Sequence, residues 1–294
     1  PETVVKTRLE VVDRQADWKE FLESHQGYKK LLNKISREYP TTRSLTIDYR
    51  DVEAFGMLGL DLADELLEKP DATLKDIQTS IREYNLVKTP KSKATPEINI
   101  RIIHLSQKTG IRDIRTTDIG KLIAVEGIIR KVNDVRPRLE IGLFRCQNGH
   151  THIIEQGYGL MDVPDRCPAD GCTSRRLDLK PDLSKFIDVQ RARIQESPEG
   201  LAGGAQPRTI DIDIKDDLVD VLNAGDRTII TGILRTHQKM KAGQRDTLFD
   251  IYIDCNSIEL PEKDLSEITI SAEDEDRIRE LSADPNIHLK IRDS

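Results

Sequence analysis

Apolar residues near the N-terminus recur at helical spacing. Trp18–Leu22 and Leu31–Ile35 each place large side chains three or four positions apart, which predicts two amphipathic helices. Gly27 is expected to separate these helices. Pro40 is expected to end the second one, because the residue before a proline disfavours helical backbone. The alternation of apolar and polar residues in Ser44–Tyr49 predicts a short strand after the helical pair.

Two further helices are predicted before residue 90. Leu60–Glu68 is amphipathic, and Asp71 is placed to cap a helix that runs to about Leu86. The next segment, Lys88–Pro96, has two prolines and one apolar residue, so we interpret it as a linker. Residues 1–96 are therefore expected to form a helical bundle.

After residue 97 the pattern changes to short stretches that are rich in β-branched residues or alternate strictly. Glycines at 120, 127, 225 and 232 punctuate them, and glycine in a strand is typical of a bend or a close backbone approach. This order predicts a small curled barrel, a five-stranded Greek key of the oligonucleotide-binding (OB) type. Asp216–Leu222 is expected to be a short helical element. The predicted strands are Ile98–Leu105, Leu122–Arg130, Leu139–Arg145, Thr209–Ile214, Arg227–Thr236 and Leu248–Ile253.

Composition and charge refine this picture. Of the 294 residues, 37% are apolar and 33% are charged, which suits several small cores rather than one large core. The net charge is −7, but residues 259–284 hold ten acidic and three basic residues, so the remainder balances at 42 of each sign. A neutral body can carry a local basic groove. No apolar run approaches the roughly eighteen residues that span a bilayer, so we expect an intracellular protein of the cytoplasm or nucleoid with no membrane partner.

Three of the four cysteines are clustered in a pattern typical of a zinc ribbon. Cys146 and His150 form one pair, and Cys167 and Cys172 form a second pair after a short hairpin. Three thiolates and one imidazole complete a tetrahedral shell and leave no position for a reactive water, so the predicted Zn²⁺ is structural. His152 is an alternative to His150. Buried thiols or a redox pair are further alternatives, although a redox pair normally has a two-residue gap.

These observations predict a multi-domain α+β chain. The N-terminal helical bundle (1–96) is followed by an OB-type barrel (97–140 and 181–262) with an inserted zinc ribbon (141–180). Residues 263–294 are expected to be an acidic linker that contains a short C-terminal helix, with Ser271 as its N-cap. The lone Cys255 is expected to be a core residue.

Motifs of common enzymes are absent from the sequence. There is no G-x-x-x-x-G-K-[ST], G-x-S-x-G or H-E-x-x-H motif. The glycines near residue 200 lack the following Lys-Ser/Thr of a phosphate-binding loop, so no bound nucleotide is expected. The histidines outside the zinc region show no partner in the sequence pattern. The chain is therefore predicted not to be an enzyme by itself.

Basic residues occur in three groups on the predicted barrel. A single exposed cation is ordinarily a solvated residue, but three groups on one barrel favour a phosphate-binding surface for single-stranded and double-stranded DNA. Aromatic residues are only 4% of the chain, so binding is expected to be directed to the backbone. The groups are Arg130, Lys131, Arg136 and Arg138 around a turn, Arg191 and Arg193 on the strand Val189–Ile194, and His237, Lys239, Lys241 and Arg245 at a hairpin tip.

The assembled pattern resembles the N-terminal region of archaeal minichromosome maintenance (MCM) replicative DNA helicases over almost the whole chain. The loop Gln195–Arg208 (QESPEGLAGGAQPR), taken together with the zinc ribbon, is the most specific part of the resemblance. The other similar stretches are Arg43–Tyr49, Asp61–Asp71, Gly120–Arg138, Asp216–Leu222 and Ala283–Ile287.

The resemblance implies a DNA-binding and hexamer-assembly module for replication initiation and fork unwinding. It implies rings or double rings of this chain around DNA, joined through the zinc ribbons. The basic hairpin Thr236–Arg245 would then face the central channel, and Arg136, Arg138, Arg191 and Arg193 match the family's positions for single strands. The zinc shell resembles the family variant with histidine as its second ligand.

The resemblance also implies a partner domain. The family's AAA+ ATPase domain is expected to follow Ser294, so the full-length protein would be an ATP-dependent helicase, whereas this chain would neither hydrolyse ATP nor unwind DNA. The loop would relay between DNA and that motor. Its residues are Gln195, Glu196, Glu199, Gly203, Gly204, Gln206 and Arg208.

Two other classes of function stay open from the sequence. The first is a protein-interaction scaffold whose zinc ribbon and acidic tail recruit partners without significant DNA affinity. The second is a nucleotide-using enzyme with an unfamiliar site. Salt-dependent DNA affinity separates the leading interpretation from the first, and titration with ATP and Mg²⁺ separates it from the second.

Overall fold

A computed structural model gives the fold of residues 14–56, 58–87, 97–157, 161–197, 206–241 and 244–260. For residues 239–241 and 244–246, only the backbone is described. The predicted linker Lys88–Pro96 and the predicted C-terminal helix Ser271–Leu281 lie outside these residues. No helix among the described residues is long and apolar enough to cross a membrane.

Five helices and a two-stranded sheet form the N-terminal unit. The sheet pairs β1 (Ser44–Asp48) in parallel with β2 (Asn99–Ile103), so the predicted strand at Ser44–Tyr49 is confirmed. The helices are α1 (Arg14–Ser24), α2 (Gln26–Glu38), α3 (Tyr49–Glu53), α4 (Gly59–Glu68) and α5 (Pro70–Glu83).

Two predicted helix boundaries are wrong by one or two residues. The break between α1 and α2 lies at His25 rather than Gly27. Helix α5 begins at Pro70, and Asp71 lies in its first turn instead of capping it. Proline suits the first helical position because its missing N–H has no partner there anyway.

The core of this unit is built from the residues that set the helical pattern. Trp18 and Phe21 are fully buried and meet edge to face with their ring centroids 5.7 Å apart, which is a favourable arrangement for aromatic pairs. The same cluster continues into the second sheet through Leu122, Ala124 and Ile233. Burial of shared apolar surface therefore joins the helical unit to the larger sheet.

Eight strands form the second sheet. Its order is β3-β9-β10-β8-β7-β4-β5, with β6 beside β4, and β3 also pairs with β7. The strands β3, β9, β10, β8 and β7 thus form a closed circuit of pairings, in which only β8 and β10 are parallel. The strands are β3 (Leu122–Val132), β4 (Arg136–Cys146), β5 (Thr151–Glu155), β6 (Leu177–Leu179), β7 (Lys185–Gln195), β8 (Thr209–Lys215), β9 (Arg227–Lys241) and β10 (Gln244–Glu259).

Two of the predicted glycines allow this sheet to close. A side chain at Gly127 would overlap the backbone carbonyl of Gln195, and one at Gly232 would overlap that of Asp254. Both contacts cross to a neighbouring strand. Glycine at these positions therefore allows the backbones to approach closely.

One further prediction about this sheet needs correction. Only a single 3-10 turn, Asp216–Leu218, forms within the predicted helical element Asp216–Leu222, because Val219 has extended backbone and Asp220 has a positive φ of 58°. The basic turn before Arg136 connects β3 to β4, which do not pair with each other. Instead, β3 and β4 both pair with different parts of β7.

Candidate functional site

The predicted metal ligands meet at one end of β4. Cys146 ends β4 and His150 directly precedes β5, with Gly149 between them at a φ of 90°. Cys167 and Cys172 lie in the segment between β5 and β6, where Gly171 has a φ of 72°. One ligand atom from each of the four residues lies within 4.8 Å of the others. The two tight turns thus direct four donors at one point.

The distances within this cluster fit a tetrahedral zinc shell. Zn–S bonds of about 2.3 Å and Zn–N bonds of about 2.0–2.1 Å place sulfur and nitrogen about 3.6 Å apart in a tetrahedron. His150 Nδ1 lies 3.6 Å from Cys146 Sγ and 3.7 Å from Cys167 Sγ. The donor set of three thiols and one imidazole also suits Zn²⁺ better than the harder cations.

Two polar side chains surround the cluster without belonging to it. His152 Nε2 lies 3.1 Å from Cys167 Sγ, and Asn148 donates its amide N–H to Cys172 Sγ at 3.2 Å. Hydrogen bonds from the backbone N–H of Ser174 and from Asn148 lower the pKa of Cys172 to about 6. Burial, by contrast, raises the pKa of the Cys167 thiol. The thiolate form that a metal requires is thus favoured at Cys172.

A basic cleft on the outside of the sheet brings together residues from all three predicted basic groups. Its volume is about 440 Å³, and Arg136 and Arg138 of β4 line it with Arg191 of β7 and His237 of β9. Lys215 of β8, which the sequence analysis did not single out, also lines it. Among the described residues, Arg138 Nε is buried and has no hydrogen-bond partner.

A smaller depression of about 80 Å³ adjoins this cleft. Lys131 and Arg193 line it, and Asn133 and Arg191 line both cavities. Arg191 and Arg193 are both exposed on the same face of β7, as their alternation predicts. From here on, the name basic cleft covers both the larger cleft and this depression.

Carboxylates of the neighbouring strand pair with both β7 arginines. Arg191 Nε lies 2.8 Å from Asp213 Oδ1, and Arg193 donates two hydrogen bonds to Asp211, at 2.6 and 3.1 Å. Burial raises the pKa of Asp213, although Arg191 opposes the shift. The sequence pattern alone does not predict these partners.

The predicted hairpin exists at the level of the backbone. Strands β9 and β10 extend beyond the predicted segments and pair as far as Lys241 with Gln244. The side chains of Lys239, Lys241 and Arg245 lie outside the described residues, as does Gly243. Their predicted role in phosphate binding therefore stays a prediction.

The predicted loop Gln195–Arg208 is tied together at its two ends. Glu196 donates its backbone N–H to the carbonyl of Arg208, and its side chain accepts the Arg208 N–H at 2.9 Å. The same carboxylate accepts three hydrogen bonds from Arg112, which lies in a 3-10 turn before β3. Glu199, Gly203 and Gly204 lie outside the described residues, whereas Gln206 is described and exposed.

Two polar groups that the sequence analysis did not connect do have partners. His104, expected to stand alone, has Nδ1 2.7 Å from Asp48 Oδ2 and Nε2 3.5 Å from Glu259 Oε2. Arg112 was not noted as the partner of Glu196. The one sequence signal for the contact between Arg112 and Glu196 is that an acidic residue directly follows the strand that ends at Gln195. Cys255 is buried as predicted.

Comparison with known proteins identifies the family. Residues 110–238 match the model of the MCM OB domain. The fold is similar to the crystal structure of the N-terminal domain of an archaeal MCM, with a TM-score of 0.68 and a sequence identity of 31%. The match covers 84% of this chain and 98% of that one. The chain belongs to the MCM family. The resemblance noted in the sequence is thereby confirmed.

Full-length relatives extend the comparison. The minichromosome maintenance protein MCM of Saccharolobus solfataricus is 33% identical over 96% of this MCM chain and 43% of its own length. The DNA replication licensing factor mcm6 of Schizosaccharomyces pombe is 29% identical over 64% of this chain and 23% of its own length. This MCM chain thus spans less than half the length of the curated relatives that it matches. Its OB-type sheet and helices correspond to the archaeal N-terminal domain.

Proposed function

We propose that this MCM chain is the DNA-binding and ring-assembly module of a replicative helicase. The observation that carries the proposal is the basic cleft, where side chains from four strands converge on one surface. Phosphate contacts require long cationic side chains that share a surface. The buried, unpartnered Arg138 Nε is a donor that an anionic ligand would satisfy.

The strand order supports an OB-type barrel as the platform for this cleft. Five strands pair in a closed circuit, and β8 and β10 form its parallel pair. Barrels of this type bind single strands across their strands and loops. We therefore propose single-stranded DNA as the preferred ligand, with weak sequence preference because few aromatic residues are available for stacking.

The β9–β10 hairpin is the second proposed DNA contact. Its paired backbone continues to Lys241 and Gln244, and the cationic residues Lys239, Lys241 and Arg245 of this hairpin are the proposed phosphate contacts. Positive residues at this position would contact DNA most effectively if several subunits surrounded one DNA strand. We therefore also propose that the chain assembles into a hexamer or double hexamer.

We propose that Cys146, His150, Cys167 and Cys172 bind one structural Zn²⁺. When bound, the ion would contribute folding free energy to a ribbon that has little apolar core of its own. Four protein ligands leave no position for a reactive water. The ribbon would therefore serve assembly rather than chemistry.

The contacts that hold the two ends of the Gln195–Arg208 loop together support a role for this loop in communication between the DNA-binding surface and a motor domain. Glu196 and Arg112 fix the loop's base against the turn before β3, and strand β7, which carries Arg191 and Arg193, leads directly into the loop. In this proposal the chain alone binds neither ATP nor Mg²⁺, and unwinding requires an ATPase domain of the full-length protein.

The test is fluorescence anisotropy of a labelled single-stranded oligonucleotide over a salt series. Arg136→Ala/Arg138→Ala should bind more weakly and should lower the salt slope by about 0.7 for each phosphate that the variant no longer neutralises. Arg175→Ala/Arg176→Ala in the ribbon is the matched control, since it removes the same charge outside the cleft. Equal effects of the two double substitutions would contradict the proposed site.

One observation favours the alternative, a protein-interaction scaffold. In the ribbon, Ile153 and Met161 are 72% and 55% exposed, so two large apolar side chains are accessible to a partner protein. A scaffold would show no DNA binding even at low salt. It would also keep its partner contacts when the cleft arginines are replaced.

A further inference from the structure

Two arginines of the basic cleft, Arg191 and Arg193 of β7, each face a carboxylate of strand β8. Asp211 and Asp213 alternate along β8 and lie directly opposite Arg193 and Arg191 of β7 in the strand register. Both pairs lie on the outer face of the sheet, where the arginines are exposed. The pairing is therefore set by the register of two strands, not by chance contacts of long side chains.

The geometry of these pairs uses the groups that would bind phosphate. Arg193 donates from both Nε and Nη2 to the two oxygens of Asp211, and this planar fork is the arrangement that guanidinium groups offer to phosphate. Arg191 donates Nε to Asp213. The same N–H groups cannot bind a carboxylate and a phosphate at once.

We infer that Asp211 and Asp213 are internal competitors that set the affinity of the basic cleft for the DNA backbone. Each carboxylate occupies the donor face of its arginine until a phosphate displaces it. This inference rests on the proposed function, since it concerns the same cleft. It adds that two acidic residues of β8 lower the affinity for DNA that the basic residues provide.

The two pairs differ in how readily they open. The side chains of Asp211 and Arg193 are 28% and 53% exposed, so water can solvate both groups when they part. The side chain of Asp213 is only 9% exposed. Opening its pair would leave a buried carboxylate without its counter-ion, which is costly. Arg193 is therefore the arginine that exchanges its partner easily, and Arg191 is held more firmly.

The test compares Asp211→Asn with a matched control. Asp178→Asn removes one carboxylate from an exposed ion pair with Arg176 in the ribbon, so it changes the net charge equally but leaves the cleft intact. Exposed ion pairs of this kind weaken a competing interaction by about two- to fivefold. Asp211→Asn should therefore bind a single-stranded oligonucleotide about two- to fivefold more tightly than Asp178→Asn at low salt.

A second arm shows whether the gain acts through the paired arginine. In an Arg193→Ala background, Asp211→Asn should give no gain beyond the charge effect of Asp178→Asn in the same background. Circular dichroism should give the same melting temperature for Asp211→Asn and Asp178→Asn.

The outcomes separate this inference from the proposed function. If wild type binds with the expected salt dependence but Asp211→Asn binds no more tightly than Asp178→Asn, or binds more weakly, the carboxylate orients Arg193 instead of competing for it, and the inference is wrong. A gain that persists without Arg193 also overturns it. If neither wild type nor Asp211→Asn binds DNA at low salt, the proposed function is wrong, and the inference that rests on it is wrong as well.

Discussion

Arg112 and Glu196 form a two-pronged ion pair, with Arg112 Nε and Nη2 at 3.0 and 2.9 Å from the two carboxylate oxygens. The Glu196 side chain is only 10% exposed. It also accepts the backbone N–H groups of Arg112 and Arg208. This one carboxylate thus joins the turn before β3 to both ends of the Gln195–Arg208 loop.

Arg112→Ala should destabilise the chain more than an ordinary surface substitution. It would leave the Glu196 carboxylate, which is only 10% exposed, short of two donors, and a buried acceptor without its donors lowers the free energy of unfolding. Lys108→Ala is the control, because its pair with Glu126 is half exposed on both sides and should be worth at most about 1 kcal/mol. Urea unfolding of both variants measures the difference. Similar midpoints would mean that water replaces Arg112 at no cost.

The same pair predicts a pH dependence of stability. Hydrogen bonds from Arg112, opposed by partial burial, lower the pKa of Glu196 below its ordinary value of 4.5. A carboxyl group with a depressed pKa stabilises the fold above its unfolded pKa and loses that contribution as the pH falls through its folded pKa. The stability difference between wild type and Glu196→Gln should therefore be full at pH 7 and should shrink below about pH 4.5. A constant difference from pH 7 to pH 3 would show that Glu196 acts through shape alone.

The sequence predicts those features of the fold and of the candidate site that depend on short-range patterns. The alternation in Thr209–Ile214 predicts β8, which the structure extends to Lys215, and the spacing of Cys146, His150, Cys167 and Cys172 predicts a cluster that the structure brings within 4.8 Å. Both signals depend on neighbours along the chain. They hold because local geometry alone places those side chains on one face or at one point.

The contacts that the sequence does not predict join distant segments. Arg112 and Glu196 are 84 positions apart, and Ser44 pairs with Asn99 in the parallel sheet of β1 and β2. Opposite charges are plentiful at 33% charged residues, so sequence alone offers many equivalent partners for each arginine. The register of β7 on β8 is what selects Asp211 for Arg193, and register depends on the whole sheet.

The choice between His150 and His152 as the fourth metal ligand gives a prediction for the zinc ribbon. His150 Nδ1 lies at tetrahedral distance from two sulfurs, whereas His152 Nε2 contacts only Cys167. Cys167→Ser and His150→Ala should therefore lose zinc and destabilise the ribbon, and His152→Ala should retain it. Elemental analysis of the purified variants measures zinc per chain. Zinc loss in His152→Ala but not in His150→Ala would exchange the roles of the two histidines.

The last prediction concerns the β9–β10 hairpin, whose side chains at 239–246 lie outside the described residues. The backbone pairing continues to Lys241, and the proposed function assigns phosphate contacts to Lys239 and Lys241. If Lys239 and Lys241 each contact one phosphate of a single strand, Lys239→Ala/Lys241→Ala should lower the salt slope of binding by about 1.4. Affinity should fall most at low salt, where counterion release is most favourable.

Lys29→Ala/Lys30→Ala is the matched control for this hairpin variant. Both of these lysines are exposed on α2, in the helical unit rather than on the sheet that carries the cleft. Their removal changes the net charge by the same amount, so it should shift affinity slightly and leave the salt slope unchanged. Anisotropy titrations at four or more salt concentrations determine both quantities. If the control lowers the slope as much as the hairpin variant does, the binding follows overall charge, and the hairpin has no specific phosphate contact.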